Sequence, residues 1–464
     1  MSVLSLHPDR FFPPDPASRV VARELFARVE DLPILSPHGH TDPKWFATDA
    51  PFEDATSLLV WPDHYLLRLL HSQGISPAML GVRQAGADRR AAWRLFAANY
   101  HLFRGTPSRL WLDHVFATVF GMTERLNEAT ADTYYDAIAT ALATPAFRPR
   151  ALFERFGIEK IATTEGALDK LAHHEAAARD WPGRMITNYR PDDVVDAAKP
   201  AFAQNVERFG ALTGEDAATW SGYLQAHETR RAQFRAHGAT ATDHGPPTAQ
   251  TTDLSAVDAQ ALLDRLLRGR AEPGDAAQFY AQCLTEMARM SCDDGMVMQI
   301  HPGVFRNHNA ELFAQFGPDI GGDLPVATDF MGKLKPLLDA VGSRPELTLI
   351  LFTLDESNNA RELAPLAGHY PALKLGPAWW FNDSPEGMLR FRRQVTETAG
   401  FYNTVGFNDD TRAFLSIPAR HDLARRIDAA YLAELVTSHR LDADEAADLI
   451  VDLAYNLPKA AYKL

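Results

Sequence analysis

Short apolar runs alternating with stretches of helical periodicity organise most of the chain. The runs are Leu32–Leu35, Ile158–Thr163, Met185–Thr187, Ala239–Thr242, Met296–Ile300, Leu347–Phe352, Ala372–Leu375 and Tyr402–Phe407. Segments with apolar residues at helical spacing fall between or before them, among them Pro16–Glu30, Asp193–Phe209, Ala259–Leu267 and Pro385–Thr398. Strands regularly exchanging with helices predict a parallel sheet closed into a (β/α)8 barrel. One long stretch breaks the rhythm. Residues 43–156 keep helical periodicity and many aromatics, including Trp61, Tyr65, Trp93, Tyr100, Trp111, Phe116 and Phe120, and read as a helical insertion after the first strand. Residues 1–464 therefore read as a single barrel domain with 43–156 inserted in it. Gly245–Leu254, rich in Pro and Thr, reads as a loop.

In such a barrel the chemistry sits at the C-terminal ends of the strands. The residues just past each run are His38 and His40, then Thr163 to Glu165, Asn188 and Arg190, and Asp243 and His244. They continue with His301 and Arg306, Thr353 and Asp355, Trp379 and Trp380, and Asp409, Asp410 and Arg412. His38-Gly39-His40 spaces two imidazoles to the same side of an extended chain. With Asp410 from the adjoining last strand they make a three-ligand site with open positions, suited to a divalent cation. Taken alone, Asp410 in Asn408-Asp409-Asp410-Thr411 reads as a turn or N-cap residue; beside His-x-His it reads as a ligand. Arg190, Arg306 and Arg412 read either as surface ion pairs or as a site for an anion held by paired hydrogen bonds.

Asp63-His64-Tyr65 could supply a general acid or base, although spacing alone favours core packing for Tyr65 and a solvated His64. His173-His174 reads as a solvated helix face, because adjacent residues diverge around a helix. Trp379-Trp380-Phe381-Asn382-Asp383 reads as a pocket wall or a packed cluster under the barrel rim.

Composition narrows the function. The formal charge of -14 speaks against a nucleic-acid partner, and any anionic substrate would need dedicated arginines. Two cysteines, Cys283 and Cys292, argue against a disulfide framework and fit a reducing cytoplasm. The N-terminal residues carry no apolar signal region, and no run is long enough to span a bilayer.

The motifs in order resemble the uronate (glucuronate) isomerase family of the amidohydrolase superfamily. The resemblance rests on His38-Gly39-His40, Asp63-His64-Tyr65, Thr187-Asn188-Tyr189-Arg190-Pro191-Asp192 and Asp243-His244-Gly245. It extends through Met298 to Asn307, Trp379-Trp380-Phe381-Asn382-Asp383, Asp410 to Ser416, and Tyr455-Asn456 with Lys459. It implies a distorted (β/α)8 barrel of the amidohydrolase type. It also implies interconversion of D-glucuronate with D-fructuronate, and of D-galacturonate with D-tagaturonate, at the start of hexuronate breakdown.

Such an isomerisation needs a base for the C2 proton and help at the enediolate oxygens. Asp410 is then third metal ligand, base, or both, with His38 and His40 holding zinc or, alternatively, manganese. Tyr65 and His64 assist proton movement. Asp243 and His301 hold hydroxyls, Trp379 and Trp380 line the pocket, and Arg190, Arg306 and Arg412 face the substrate carboxylate. A homo-oligomer is compatible with this reading. The competing readings are a metal-dependent amidohydrolase cleaving an amide, ester or lactone, and a non-catalytic sugar-acid binding protein. The former is weakened by Asp243-His244 standing where such hydrolases often carry a lysine or glutamate.

Overall fold

The computed structural model describes residues 3–464. Seven parallel strands form one curled sheet in chain order: Ile34–Ser36, Ile158–Gly166, Met185–Arg190, Ala241–His244, Val297–Ile300, Leu349–Leu351 and Leu373–Leu375. Alternation along the strands sorts the side chains. Met298, Ile300, Leu349, Leu351, Leu373 and Leu375 join the apolar layer shared with the surrounding helices. Ala241, Val297, Ile350 and Val405 meet instead in a separate cluster with Phe352, Trp379 and Tyr462, along the barrel axis.

The eighth expected strand, Tyr402–Phe407, needs correction. It makes a single bridge, between Thr404 and Leu375. Gly406 takes φ 72°, and the Leu453 carbonyl and Pro458 ring occupy the space a Cβ would need. The backbone turns there instead of extending. The barrel nevertheless closes. The Leu375 N–H donates to Asn403 O and the Val405 N–H to Leu375 O, and farther up the His40 N–H donates to Thr411 O. The first and last segments thus adjoin at the strand C-termini, where the sequence places His38, His40 and Asp410.

Between the first two strands the chain is helical, with α-helices running from Pro43–Thr48 to Pro149–Arg155. Their apolar faces share a core with Ile34, Ile158, Ile161 and Met185 of the sheet and with Phe414 and Leu415. One helix starts at His64, because the Asp63 side chain accepts from the Tyr65 and Leu66 N–H groups. That cap fixes the first turn and sends His64 and Tyr65 toward the barrel mouth.

Two helical expectations change. Pro16–Glu30 stops as a helix at Phe26. Asp193–Phe209 is two helices, Asp192–Val195 and Phe202–Thr213, parted at Pro200, which disfavours helical geometry at the residue before it. His173-His174 is also corrected. His174 is buried, with Nε2 2.8 Å from Thr163 Oγ1 and 3.5 Å from Glu165. The divergence of neighbours around helix Ala172–Ala178 turns one of the two inward. Gly245–Leu254 is a loop, as its composition indicates.

Candidate active site

A cavity of about 720 Å³ opens at the C-terminal mouth of the barrel. It is lined by His38, His40, His64, Tyr65, Arg190, His301, Arg306, Trp379, Trp380, Asp410 and Arg412, contributed by the strand ends, the insertion and the loops. Asp243 lies beneath this lining, fully buried.

His38 and His40 follow the first strand and face each other edge-on, their ring centroids 5.3 Å apart. Asp410 Oδ1 lies 3.4 Å from His38 Nε2 and 3.3 Å from His40 Nε2. Ligand atoms of these three residues all lie within 4.8 Å of one another. The indole Nε1–H of Trp379 donates to the other oxygen, Oδ2. Oδ1 is left buried without a hydrogen-bond partner, an arrangement a cation would complete. The set of two imidazoles and one carboxylate therefore fits a divalent metal. Burial opposes ionisation of Asp410, but the neighbouring imidazoles outweigh it and hold the carboxyl well below its ordinary range. Burial likewise disfavours charge on His38, yet Asp243 and Asp410 prevail and raise it to about 9. Burial lowers His40.

Asp243, from the fourth strand, gathers a second cluster. His301 Nε2 is 2.9 Å and Arg190 Nη1 3.2 Å from its oxygens. Burial resists the negative charge, but His301, His38 and Arg190 together keep Asp243 ionised. Arg190 also donates to Asp192, which receives the Tyr280 hydroxyl as well. Gly245 makes room for this cluster: a Cβ there would stand 2.5 Å from Arg190 Nη2 and 2.8 Å from His301 Cε1.

Tyr65 is buried at the cavity edge. Its hydroxyl donates to Asp383 at 2.8 Å and accepts from the Phe381 N–H at 3.0 Å. Burial and the Asp383 charge raise it well above an ordinary phenol. Asp383 is braced in turn by Arg420, whose guanidinium stacks on Trp111. His64 is held neutral, lowered to about 3 by burial and the charge of Arg412.

The other two arginines stand nearer solvent. Arg306 pairs with Asp323 at 2.7 Å and lies over the Trp380 ring, and Arg412 pairs with Asp319 at 3.1 Å. Asn307, Asp319 and Asp410, all lining the cavity, hold left-handed backbone at φ 53°, 65° and 37°. Such conformations cost about 1 kcal/mol or more each and persist where surrounding contacts impose them.

His38, His40, His64, Tyr65, Arg190, His301, Arg306, Trp379, Trp380, Asp410 and Arg412 converge on this one mouth with Asp243 beneath it, whereas Glu165, His244, Thr353 and Asp355, also at strand ends, do not line it. Asp192, Asp319, Asp323, Asp383 and Arg420 were not singled out as site residues. Asp192 and Asp383 belong to motifs quoted above, while the others carry no local pattern and acquire meaning only through their partners. Tyr455 and Lys459 lie elsewhere, bound to Glu159 at the start of the second strand.

Fold and site together define a parallel-barrel enzyme whose mouth suits both a cation and an anionic small molecule. The sequence model of the glucuronate isomerase family matches residues 17–462, and the chain belongs to that family. It is 64% identical over 469 aligned residues to a uronate isomerase of Xanthomonas axonopodis pv. citri, covering 100% of this chain and 99% of the other. To the uronate isomerase of Phenylobacterium zucineum it is 65% identical, covering 99% and 97% respectively. The crystal structure of glucuronate isomerase from Caulobacter crescentus superimposes with a TM-score of 0.98 at 61% identity, covering 99% of this chain and 97% of that one.

Proposed function

We propose that this chain interconverts D-glucuronate with D-fructuronate, and D-galacturonate with D-tagaturonate, by moving the carbonyl between C1 and C2 through an enediol. The observation that carries the reading is Asp410, an ionised carboxylate fixed on one oxygen by Trp379 and facing two imidazoles with the other. Membership of the glucuronate isomerase family supports the substrate class.

His38, His40 and Asp410 would hold a divalent metal, zinc or alternatively manganese, which when bound supplies electrophilic stabilisation to substrate oxygens. Asp410 also serves as the base that takes the C2 proton and returns it to C1. Its low pKa keeps it ionised, and the Trp379 bond fixes its plane. Tyr65 stays protonated and, with neutral His64 beside it, serves proton movement between O1 and O2.

His301, held by Asp243 beneath it, takes a sugar hydroxyl at the base of the cavity, and Trp379 and Trp380 wall it. Arg190 is matched by two carboxylates, Asp192 and Asp243, and acts through them. Arg306 and Arg412 have one carboxylate partner each and stand more exposed, so they receive the substrate carboxylate. Residues 43–156 act as an inserted segment of a single domain, contributing His64 and Tyr65. Both cysteines are free, which fits a cytoplasmic enzyme, and a homo-oligomer is consistent with a barrel of this kind.

The test is turnover of D-glucuronate and D-galacturonate followed by proton NMR in D2O. Ketose carrying deuterium at C1 is expected. Complete retention of the C2 hydrogen would rule out a solvent-exchanging base, and no turnover of either sugar by metal-loaded protein would overturn the assignment.

A further inference from the structure

The C-terminal segment inserts one side chain, Tyr462, into the barrel. Helix Leu457–Ala461 abuts the N-terminal ends of the strands, and Lys463 Nζ donates to Gly295 O just before the fifth strand. Tyr462, fully buried, enters the bore among Ala241, Val297, Ile350 and Val405. Its hydroxyl donates to Gln299 Oε1 at 3.0 Å and accepts from Asn408 Nδ2 at 2.8 Å. Two amide nitrogens face His38 Nδ1, the ring nitrogen turned away from Asp410: Gln299 Nε2 at 3.4 Å and Asn188 Nδ2 at 3.3 Å, of which Gln299 alone is linked to Tyr462. A continuous polar chain thus runs from Asn408 through Tyr462 and Gln299 to a candidate metal ligand.

We propose that Tyr462 is a positioning residue for His38: through the Gln299 amide, its hydroxyl sets which ring nitrogen carries the proton. The inference rests on the reading of His38 as a metal ligand. A neutral imidazole offers Nε2 to a cation when Nδ1 holds its proton, and an acceptor for that proton fixes this tautomer and the ring orientation. A carboxamide offers a donor at one terminal atom and an acceptor at the other, so its polarity toward His38 is tied to the partner of its far atom.

With Nδ1 unprotonated, Asn408 donates to Tyr462, Tyr462 to Gln299 Oε1, and Gln299 Nε2 to His38. His38 Nε2–H then points to Asp410. With the amides turned over, His38 Nδ1–H donates to Gln299 Oε1 and Gln299 Nε2 donates to the Tyr462 oxygen. The Tyr462 O–H then donates to Asn408 Oδ1, an atom now buried without a partner. In the neutral ring that a cation requires, one proton is kept in either arrangement, and only the second frees Nε2. A hydroxyl, able to donate and accept, serves both polarities. A phenylalanine serves neither.

The test uses full-length, metal-stripped protein titrated with Zn2+ and with Mn2+ against a chromophoric chelator. Tyr462→Phe should weaken affinity about tenfold while leaving KM for D-glucuronate near wild type and lowering kcat. Gln299→Met should weaken metal binding to a similar extent. In that background Tyr462→Phe should cost less than a further twofold, since the amide that links Tyr462 to His38 is gone. A purely packing role would instead give equal losses in both backgrounds.

Wild-type metal affinity in Tyr462→Phe would overturn the inference, and if that variant does not fold, wild-type affinity in Gln299→Met would do so. His38→Asn separates this from the underlying reading. If it loses metal while Tyr462→Phe does not, only the positioning role fails. If it keeps full affinity, His38 is not a ligand and both fail.

Discussion

The indole of Trp379 and the carboxylate of Asp410 are joined by a hydrogen bond that divides the two carboxylate oxygens between different tasks. Oδ2 is occupied by the indole, so Oδ1 alone faces His38 and His40. A carboxylate on a left-handed backbone, at φ 37°, would otherwise rotate about its side-chain bonds. Trp379→Phe should keep the aromatic packing against Phe352 and His301 while freeing Asp410. A fall in kcat of about 10- to 100-fold is expected, with weaker metal binding, measured by steady-state kinetics and metal titration. Unchanged kcat would mean the bond does not orient the base.

Arg412→Met and Arg306→Met should act on binding more than on chemistry. Each removes one charge-assisted partner for a carboxylate, worth about 1.5–3 kcal/mol. KM should rise about 10- to 100-fold, with a smaller change in kcat. The uncharged aldose lacking the carboxylate should discriminate poorly between wild type and variant, which a saturation series with both sugars would reveal.

Gly245→Ala probes the crowding around Asp243. The added methyl group would meet Arg190 Nη2 at 2.5 Å and His301 Cε1 at 2.8 Å, so one of the two must move. The guanidinium is the more flexible, and its displacement separates it from Asp243. We expect kcat/KM to drop at least tenfold while the melting temperature changes by only a few degrees. Wild-type kcat/KM would show that the cluster tolerates the shift.

Glu165 gives the fold a pH dependence apart from the active site. Burial raises its carboxyl to about 7, against the opposing hydrogen bonds from Thr187 and Thr163. A folded pKa above the unfolded value of about 4.5 means that the native state prefers the protonated acid. The stabilisation is fully present below about pH 4.5 and is lost as pH rises through about 7. Glu165→Gln should remove that loss. The variant should exceed wild type by roughly 1–3 kcal/mol at pH 8 and by much less at pH 5, read from urea unfolding. An equal difference at both pH values would exclude titration of Glu165 as the cause.

The barrel and its mouth were legible because strand ends repeat a rule: an apolar run, then a polar residue with chemical potential. His38, His40, Arg190, Asp243 and His301 all follow that rule. Tyr402–Phe407 obeys it in composition but not in backbone, since Gly406 bends under Leu453 and Pro458, residues remote in sequence. His174 was misplaced for a related reason: a helix of only seven residues, Ala172–Ala178, leaves too little periodicity to show which face is buried. Asp319 and Tyr462 stand outside any motif, and Asp383 has no role legible within its own, because each is defined by a partner far along the chain and single-sequence spacing carries no record of such pairs.

The seam between Leu373–Leu375 and Ile34–Ser36 is the least hydrogen-bonded part of the barrel wall, yet the mouth is built across it. His38 and His40 enter from one side and Asp410 from the other. A cation shared among them would tie together two segments separated by most of the polypeptide. In chain-entropy terms that is a cross-link closing a very long loop, removing freedom from the unfolded ensemble much as a covalent bridge would. A chain with two free cysteines would thereby gain a reversible fastener, one that closes the ring with the same residues proposed to serve the chemistry.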